Sequence, residues 1–185
     1  MTFSGEPTAL VIIDMQKGMA QAGPRNNPQA ESHIAQLLDH WRASAQPVVH
    51  VRHLSRTPGS PFWPGQVGAE FQERLAPRDS EHVVDKHVTD AFAHSGLERW
   101  LHQRGIRCLA FVGVSTNMSV EASVRSASCL GFACQVVADA CYTYDRPDLD
   151  GQPRSAQDIH RVALANMHGE YAQVVVTAAL LPSAQ

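Results

Sequence analysis

Ala9-Leu10-Val11-Ile12-Ile13-Asp14 sets five apolar residues, three of them β-branched, directly before a carboxylate. Its shortness and β-branched content mark a strand buried on both faces, as in parallel sheets covered by helices. Five further runs bounded by turn residues are read as strands, at 47–52, 82–85, 108–114, 133–138 and 172–177. Stretches of helical period lie between them. Ile34, Leu37, Leu38 and Trp41 recur at spacings of three and four and share one helix face. A second helix is predicted over 95–104, with Leu97, Trp100 and Leu101 inward and Gly105 as its stop. A third is predicted over 117–130, closed by Gly131, and a fourth over 156–171 carrying Ile159, Val162, Ala163 and Met167. This alternation predicts the α/β class: a three-layer α-β-α, Rossmann-like fold whose mostly parallel six-stranded sheet has helices on both faces.

Residues 54–79 interrupt the alternation with Pro58, Pro61, Pro64 and Pro77 and with Gly59, Gly65 and Gly68. Such a long loop in a compact domain is often functional, here expected as a lid or an oligomer arm. A second Gly/Pro-containing loop spans 144–154. The 185 residues fit one domain covering 1–185. A composition 44% hydrophobic and 18% charged is that of a globular chain.

A net charge of -3 argues against nucleic acid and for a small-molecule substrate. Residues 1–7 lack the basic and apolar segments of a signal peptide, and no apolar run approaches the roughly 18 residues of a membrane span. A cytoplasmic protein with no membrane partner is expected. The four cysteines, Cys108, Cys129, Cys134 and Cys141, show no metal or disulfide spacing and are read as buried, reduced thiols.

Ligands of open parallel sheets bind beyond the carboxyl ends of the strands, so the residues ending each strand are the first candidates for chemistry. Asp14 is one; desolvation there would raise its pKa toward a range useful in proton transfer, although a helix cap or structural acceptor fits the same position. Lys86 follows Val83-Val84-Asp85, where its cation can hold Asp14 ionised or polarise a substrate oxygen, and where a solvated lysine is the plain alternative. Ser115-Thr116-Asn117-Met118-Ser119 turns the fourth strand into a helix, whose N-terminal N–H groups suit an oxyanion but whose Ser, Thr and Asn also suit capping.

The segments Ala9–Gln16, Asp85-Lys86 with Asp90-Ala91-Phe92, Gly113–Asn117 with Val120-Glu121, and Ala138-Asp139-Ala140 together resemble the signature blocks of the isochorismatase-like (cysteine hydrolase) family, in order and spacing. The resemblance covers about residues 8 to 178. It implies a covalent amidohydrolase of the metal-independent branch, acting on amide, ureido or carbamoyl C–N bonds. It further implies Asp14 as general base, Lys86 as orienting cation, residue 119 as nucleophile, an oxyanion hole from the backbone N–H groups of Ser115 and Ser119, and a cis peptide at Val114-Ser115. No cofactor and no metal are expected, and family members assemble as homodimers or homotetramers.

Position 119 departs from the pattern, because serine stands where the family's amidases carry the nucleophilic cysteine. A hydroxyl is far less acidic than a thiol, and no histidine motif announces a Ser-His-Asp triad. Three explanations compete: a deliberate substitution that silences a cysteine hydrolase, an isochorismatase-type enzyme using Asp14 as general acid on an enol ether, and a non-catalytic ligand-binding homologue. Gln16, His53, Phe62, Trp63, Phe92 and Asn117 are the candidate substrate-binding residues; core or interface packing suits the three aromatics equally, and Gln16 and Asn117 can orient the carboxylate instead of the substrate. His50 and His53 are taken together on one strand face, His50 as a sheet residue and His53 as a substrate donor. Residues 54–79 contain no histidine to complete a metal site with them. Glu121 and Arg125, four apart, are expected to pair.

Overall fold

The computed structural model describes residues 6–182; the expectation about the N-terminal segment falls mostly outside them. Six strands form one sheet: β1 (Thr8–Ile13), β2 (Val48–His53), β3 (His82–Lys86), β4 (Cys108–Val114), β5 (Ala133–Tyr142) and β6 (Gln173–Val175). Their order is β3-β2-β1-β4-β5-β6 and every pairing is parallel. The order reverses direction between β1 and β4, the crevice where ligands of doubly wound sheets bind.

Alternation along the central strands supplies both cores. Ala9, Val11, Ile13, Leu109 and Phe111 face one side, while Leu10, Ile12, Ala110, Val112 and Val114 face the other. The first side is covered by α2 (Leu97–Gln103), α3 (Glu121–Cys129) and α4 (Ala156–Met167), through residues such as Leu101, Val124 and Met167. The second is covered by α1 (Ala30–Ala43) through Ile34, Leu37, Leu38 and Trp41, as their spacing predicts. The helices therefore lie on both faces but unevenly. Leu75 of the long loop and Leu180 and Leu181 after β6 complete the α1 side.

The 54–79 loop is not a free lid. Its 68–72 portion runs beside residues 15–18, with backbone bonds Lys17 N–H to Glu70 O (2.9 Å), Gly18 N–H to Gly68 O (3.0 Å) and Gln72 N–H to Met15 O (3.1 Å). The second, third and fourth predicted helices are each shorter than expected. The fourth stops at Met167 because His168 is extended and Gly169 is left-handed (φ 87°). The 144–154 loop contains a two-residue antiparallel ribbon, Arg146–Pro147 with Pro153–Arg154. Cys108, Cys134 and Cys141 are buried free thiols, but Cys129 is exposed, because it ends α3 on the solvent side. No helix among the described residues is long and apolar enough to cross a membrane.

Gly113 has φ +123°, and a Cβ there would stand 2.1 Å from the Ile13 carbonyl oxygen. Only glycine lets β4 approach β1 at the crevice. Gly113→Ala is expected to cost more than about 3 kcal/mol in urea denaturation, since both the conformation and the clash oppose the methyl group.

At the opposite end of the sheet Glu81 accepts from Arg42 (2.7 and 2.8 Å), His50 Nε2 (2.9 Å) and Arg78 N–H (2.8 Å). Although burial pushes its carboxyl up, these donors outweigh it and bring the pKa from 4.5 to about 2. A depressed folded-state pKa adds stability above the unfolded value that disappears as pH falls through the folded one. Glu81→Gln is therefore expected to be less stable than the parent at pH 7, and the gap to narrow between pH 4.5 and about 2; a gap independent of pH would contradict this.

Candidate active site

The carboxyl ends of β1, β3 and β4 bring the principal candidates together. Asp14 leaves β1 at φ +53°, a left-handed position that aspartate tolerates better than most residues, and it is 1% exposed. Lys86 is the last residue of β3, and its buried chain reaches past β2 to Asp14. Ser119 belongs to a π-helical turn, Thr116–Val120, inserted between β4 and α3; the sequence reading runs the α-helix through it. Extra turns of this kind recur at functional sites because they re-aim a side chain without moving the helix. The Val114-Ser115 peptide is cis.

Lys86 Nζ donates to Asp14 Oδ2 at 2.7 Å, to the Val88 carbonyl at 3.1 Å and to Ser119 Oγ at 3.2 Å. An ammonium has three protons, so each is engaged and none is left to polarise a substrate oxygen. Its role in this arrangement is to hold the Asp14 charge and fix Ser119. Asp14 Oδ1 is buried and has no hydrogen-bond partner among the described residues. Burial raises the Asp14 pKa above the ordinary carboxylate range, with Lys86 the chief opposing influence and the Ser119 hydroxyl a further one. The site thus holds a desolvated carboxylate, a buried ammonium and a hydroxyl within one hydrogen-bonded cluster. Ser115 caps the turn that holds Ser119, its carbonyl accepting from the N–H groups of Met118 (3.1 Å) and Val120 (3.2 Å).

His53 ends β2 in register with Lys86 and is half-buried, its ring meeting Phe62 edge-on at 6.0 Å. Burial, with the nearby Lys86 cation, lowers its pKa, favouring a neutral ring. His50 and His53 do not share a face: three positions apart in a strand, they alternate, and His50 is fully buried against Glu81 and Phe71. Phe62 packs over Gly18, where a Cβ would stand 2.9 Å from the ring, and Trp63 is half-buried beside it.

Two expected substrate contacts, Gln16 and Phe92, are otherwise engaged, and Asn117 is engaged through its oxygen. The Gln16 amide is buried and fully committed, accepting from His53 N–H (2.9 Å) and donating to His53 O (2.9 Å) and Ala69 O (3.0 Å), so it joins β2 to the loop. Asn117 Oδ1 accepts from Thr143 Oγ1 at 2.6 Å. Phe92 is a core residue, 8% exposed and packed on Phe132. Glu121 and Arg125 pair at 2.7 Å as their spacing predicts.

Sequence reasoning misses Ser123. Its Oγ donates to the Ser119 carbonyl (2.7 Å) and accepts from Ala91 N–H (3.0 Å), tying the turn to the segment after Lys86. Spacing offers a signal, since i+4 places it on the same helix face. Among the described residues no group of three or more His, Cys, Asp or Glu could hold a metal ion.

The Isochorismatase domain family matches residues 8–179. The chain is similar to a crystal structure of an isochorismatase-family protein from Chromobacterium violaceum, with TM-score 0.92 and 44% identity over 96% of this chain and 93% of that one. It is 31% identical to a streptothricin hydrolase of Streptomyces noursei over 94% of this chain and 64% of that protein. Over 73 residues, 40% of this chain and 30% of the relative, it is 36% identical to a ureidoacrylate amidohydrolase of Acinetobacter baylyi.

Proposed function

The chain belongs to the isochorismatase family of hydrolases, and on that premise we propose that its site is built to cleave a C–N bond of a small amide, ureido or carbamoyl substrate. The observation that carries the reading is the buried cluster in which Lys86 Nζ stands 2.7 Å from Asp14 and 3.2 Å from the Oγ of residue 119. The amidohydrolase among the relatives supports the bond class.

In this reading the Oγ or Sγ at 119 attacks the substrate carbonyl carbon, and its proton passes to Asp14. The carbonyl oxygen gains negative charge against the N–H groups of Ser115 and Ser119. The C–N bond then breaks, the leaving nitrogen takes the proton from Asp14, and water releases the acyl group. Neutral His53, with Phe62 and Trp63, borders the substrate. Serine at 119 weakens the first step, because Asp14 is too weak a base for a hydroxyl. Homodimers or homotetramers belong to the same proposal, supported by the exposed apolar side chains of Met118 (47%) and Val162 (61%).

A second reading, enol-ether cleavage with Asp14 as proton donor, draws support from the burial that raises its pKa. One panel separates them: release of ammonia or amine from carboxamides, ureido acids and carbamoyl amines, measured for the parent and Ser119→Cys. Turnover gained with the thiol supports the covalent reading. Enol-ether cleavage that is equal in both proteins and lost in Asp14→Asn supports the acid, and no turnover by any form supports a binding protein.

A further inference from the structure

Thr116 opens the turn that carries Ser119, is fully buried, and has its Oγ1 2.8 Å from Nδ1 of His160 on α4. His160 is 3% exposed and lies in no motif visible in the sequence. Both protons of the Asn27 amide are committed, to Ala138 O at 2.9 Å and Cys141 O at 2.6 Å. Asn27 therefore has no proton left for His160 Nε2 at 3.5 Å, and the ring lies against the same Ala138 carbonyl.

That accounting assigns the ring hydrogen to Nε2. With Nε2–H directed to Ala138 O, Nδ1 carries the lone pair and the Thr116 hydroxyl donates to it. Burial pushes the His160 pKa down to about 4, which keeps the ring in this one-donor, one-acceptor form near neutrality. The Thr116 carbonyl in turn accepts the Glu121 N–H, the bond that joins the turn to α3. Thr116 is thus held by its side chain to α4 and β5 and by its backbone to α3.

We infer that His160 is a positioning residue of the active site: by gripping Thr116 from α4 it sets the turn so that the side chain at 119 meets Lys86 and the turn's N–H groups. The inference rests on residue 119 being the reaction centre. Asn27 is the second member of the device, because it orients the Ala138 carbonyl to which the ring is tied. A threonine hydroxyl three residues before the nucleophile position and a histidine 41 residues after it thereby act on the chemistry without touching substrate.

The test reads the environment of residue 119 directly and needs no substrate. In a Cys129→Ser background, which removes the exposed native thiol, the Ser119→Cys protein is alkylated with iodoacetamide across pH, and the modified peptide is followed by mass spectrometry. Adding Thr116→Val or His160→Phe is expected to raise the apparent pKa of the new thiol by about one unit, slowing alkylation at pH 6.5 about tenfold. Thr116→Ser and His160→Gln, which keep a hydroxyl and a donor–acceptor pair, are expected to stay within about twofold. The inference is overturned if Thr116→Val, an isosteric change that should preserve the fold, leaves the rate within twofold, whatever happens to melting temperature. If the Ser119→Cys thiol titrates like free cysteine, the covalent function fails; the ratio between that protein and its Thr116→Val derivative still decides the positioning role.

Discussion

Ser119→Cys is expected to raise amide, ureido or carbamoyl hydrolysis by at least about 100-fold, from a parent rate near the background. The expectation follows from how weak a base Asp14 is. Placed beside a serine hydroxyl, it cannot supply the about 10²–10⁴-fold that a matched general base contributes. A thiol with an ordinary pKa of about 8.5 needs far less assistance, and the Lys86 cation 3.2 Å from the reacting atom favours its ionised form. The change should appear in kcat more than in KM, because it acts on the attacking atom and leaves the walls intact. Single-turnover mass spectrometry should show an added acyl mass on the 119 peptide. Substrate turnover without that covalent species would sink the mechanism even if the rate rose.

The second large effect concerns Lys86→Met. The Asp14–Lys86 pair is almost wholly excluded from solvent, with side chains 1% and 0% exposed. Removing one partner of such a pair strands the other charge and typically costs about 3–5 kcal/mol, while replacing both by neutral groups costs much less. Asp14 in Lys86→Met keeps the burial that raises its pKa and loses the chief influence that lowers it. A folded-state pKa raised above the unfolded value of about 3.9 makes stability present at low pH and lost as pH rises through the folded value. Lys86→Met is therefore expected to lose more stability from pH 4 to pH 7 than the parent, in which Lys86 opposes the rise in the Asp14 pKa, and Asp14→Asn/Lys86→Met to recover most of the loss. Urea denaturation at several pH values checks both. Equal deficits for Lys86→Met at pH 4 and pH 7 would show that the aspartate is not stranded.

Much of this arrangement was legible in the sequence because burial writes a strong pattern. Strands apolar on both faces can only be central, and their order along the chain implies parallel pairing, so the ends of β1, β3 and β4 become the crevice. Asp14, Lys86 and the 115–119 turn follow from that placement. Residues whose function lies in hydrogen bonds across the chain do not announce themselves in this way. Gln16 was read as a substrate ligand because it sits two residues from Asp14, but its amide closes on the backbone of His53 and Ala69. Phe92, which sequence leaves open between pocket lining and core packing, completes the core beside Phe132. His160 has no local signal at all, since its partners Thr116 and Ala138 are 44 and 22 residues away. The π-helical turn was invisible because its residues have the period of the α-helix that follows.

The clasp between residues 15–18 and 68–72 has a bearing on how molecules reach the crevice. Beyond its backbone bonds, Gln16 ties Ala69 to the end of β2, and Phe62 lies across Gly18. Swinging residues 68–72 outward would take the Ala69 carbonyl from the buried Gln16 amide and break the backbone bonds to Met15, Lys17 and Gly18. The rim is therefore masonry and not a door. Opening the crevice on this side therefore means breaking several hydrogen bonds at once, not turning one hinge.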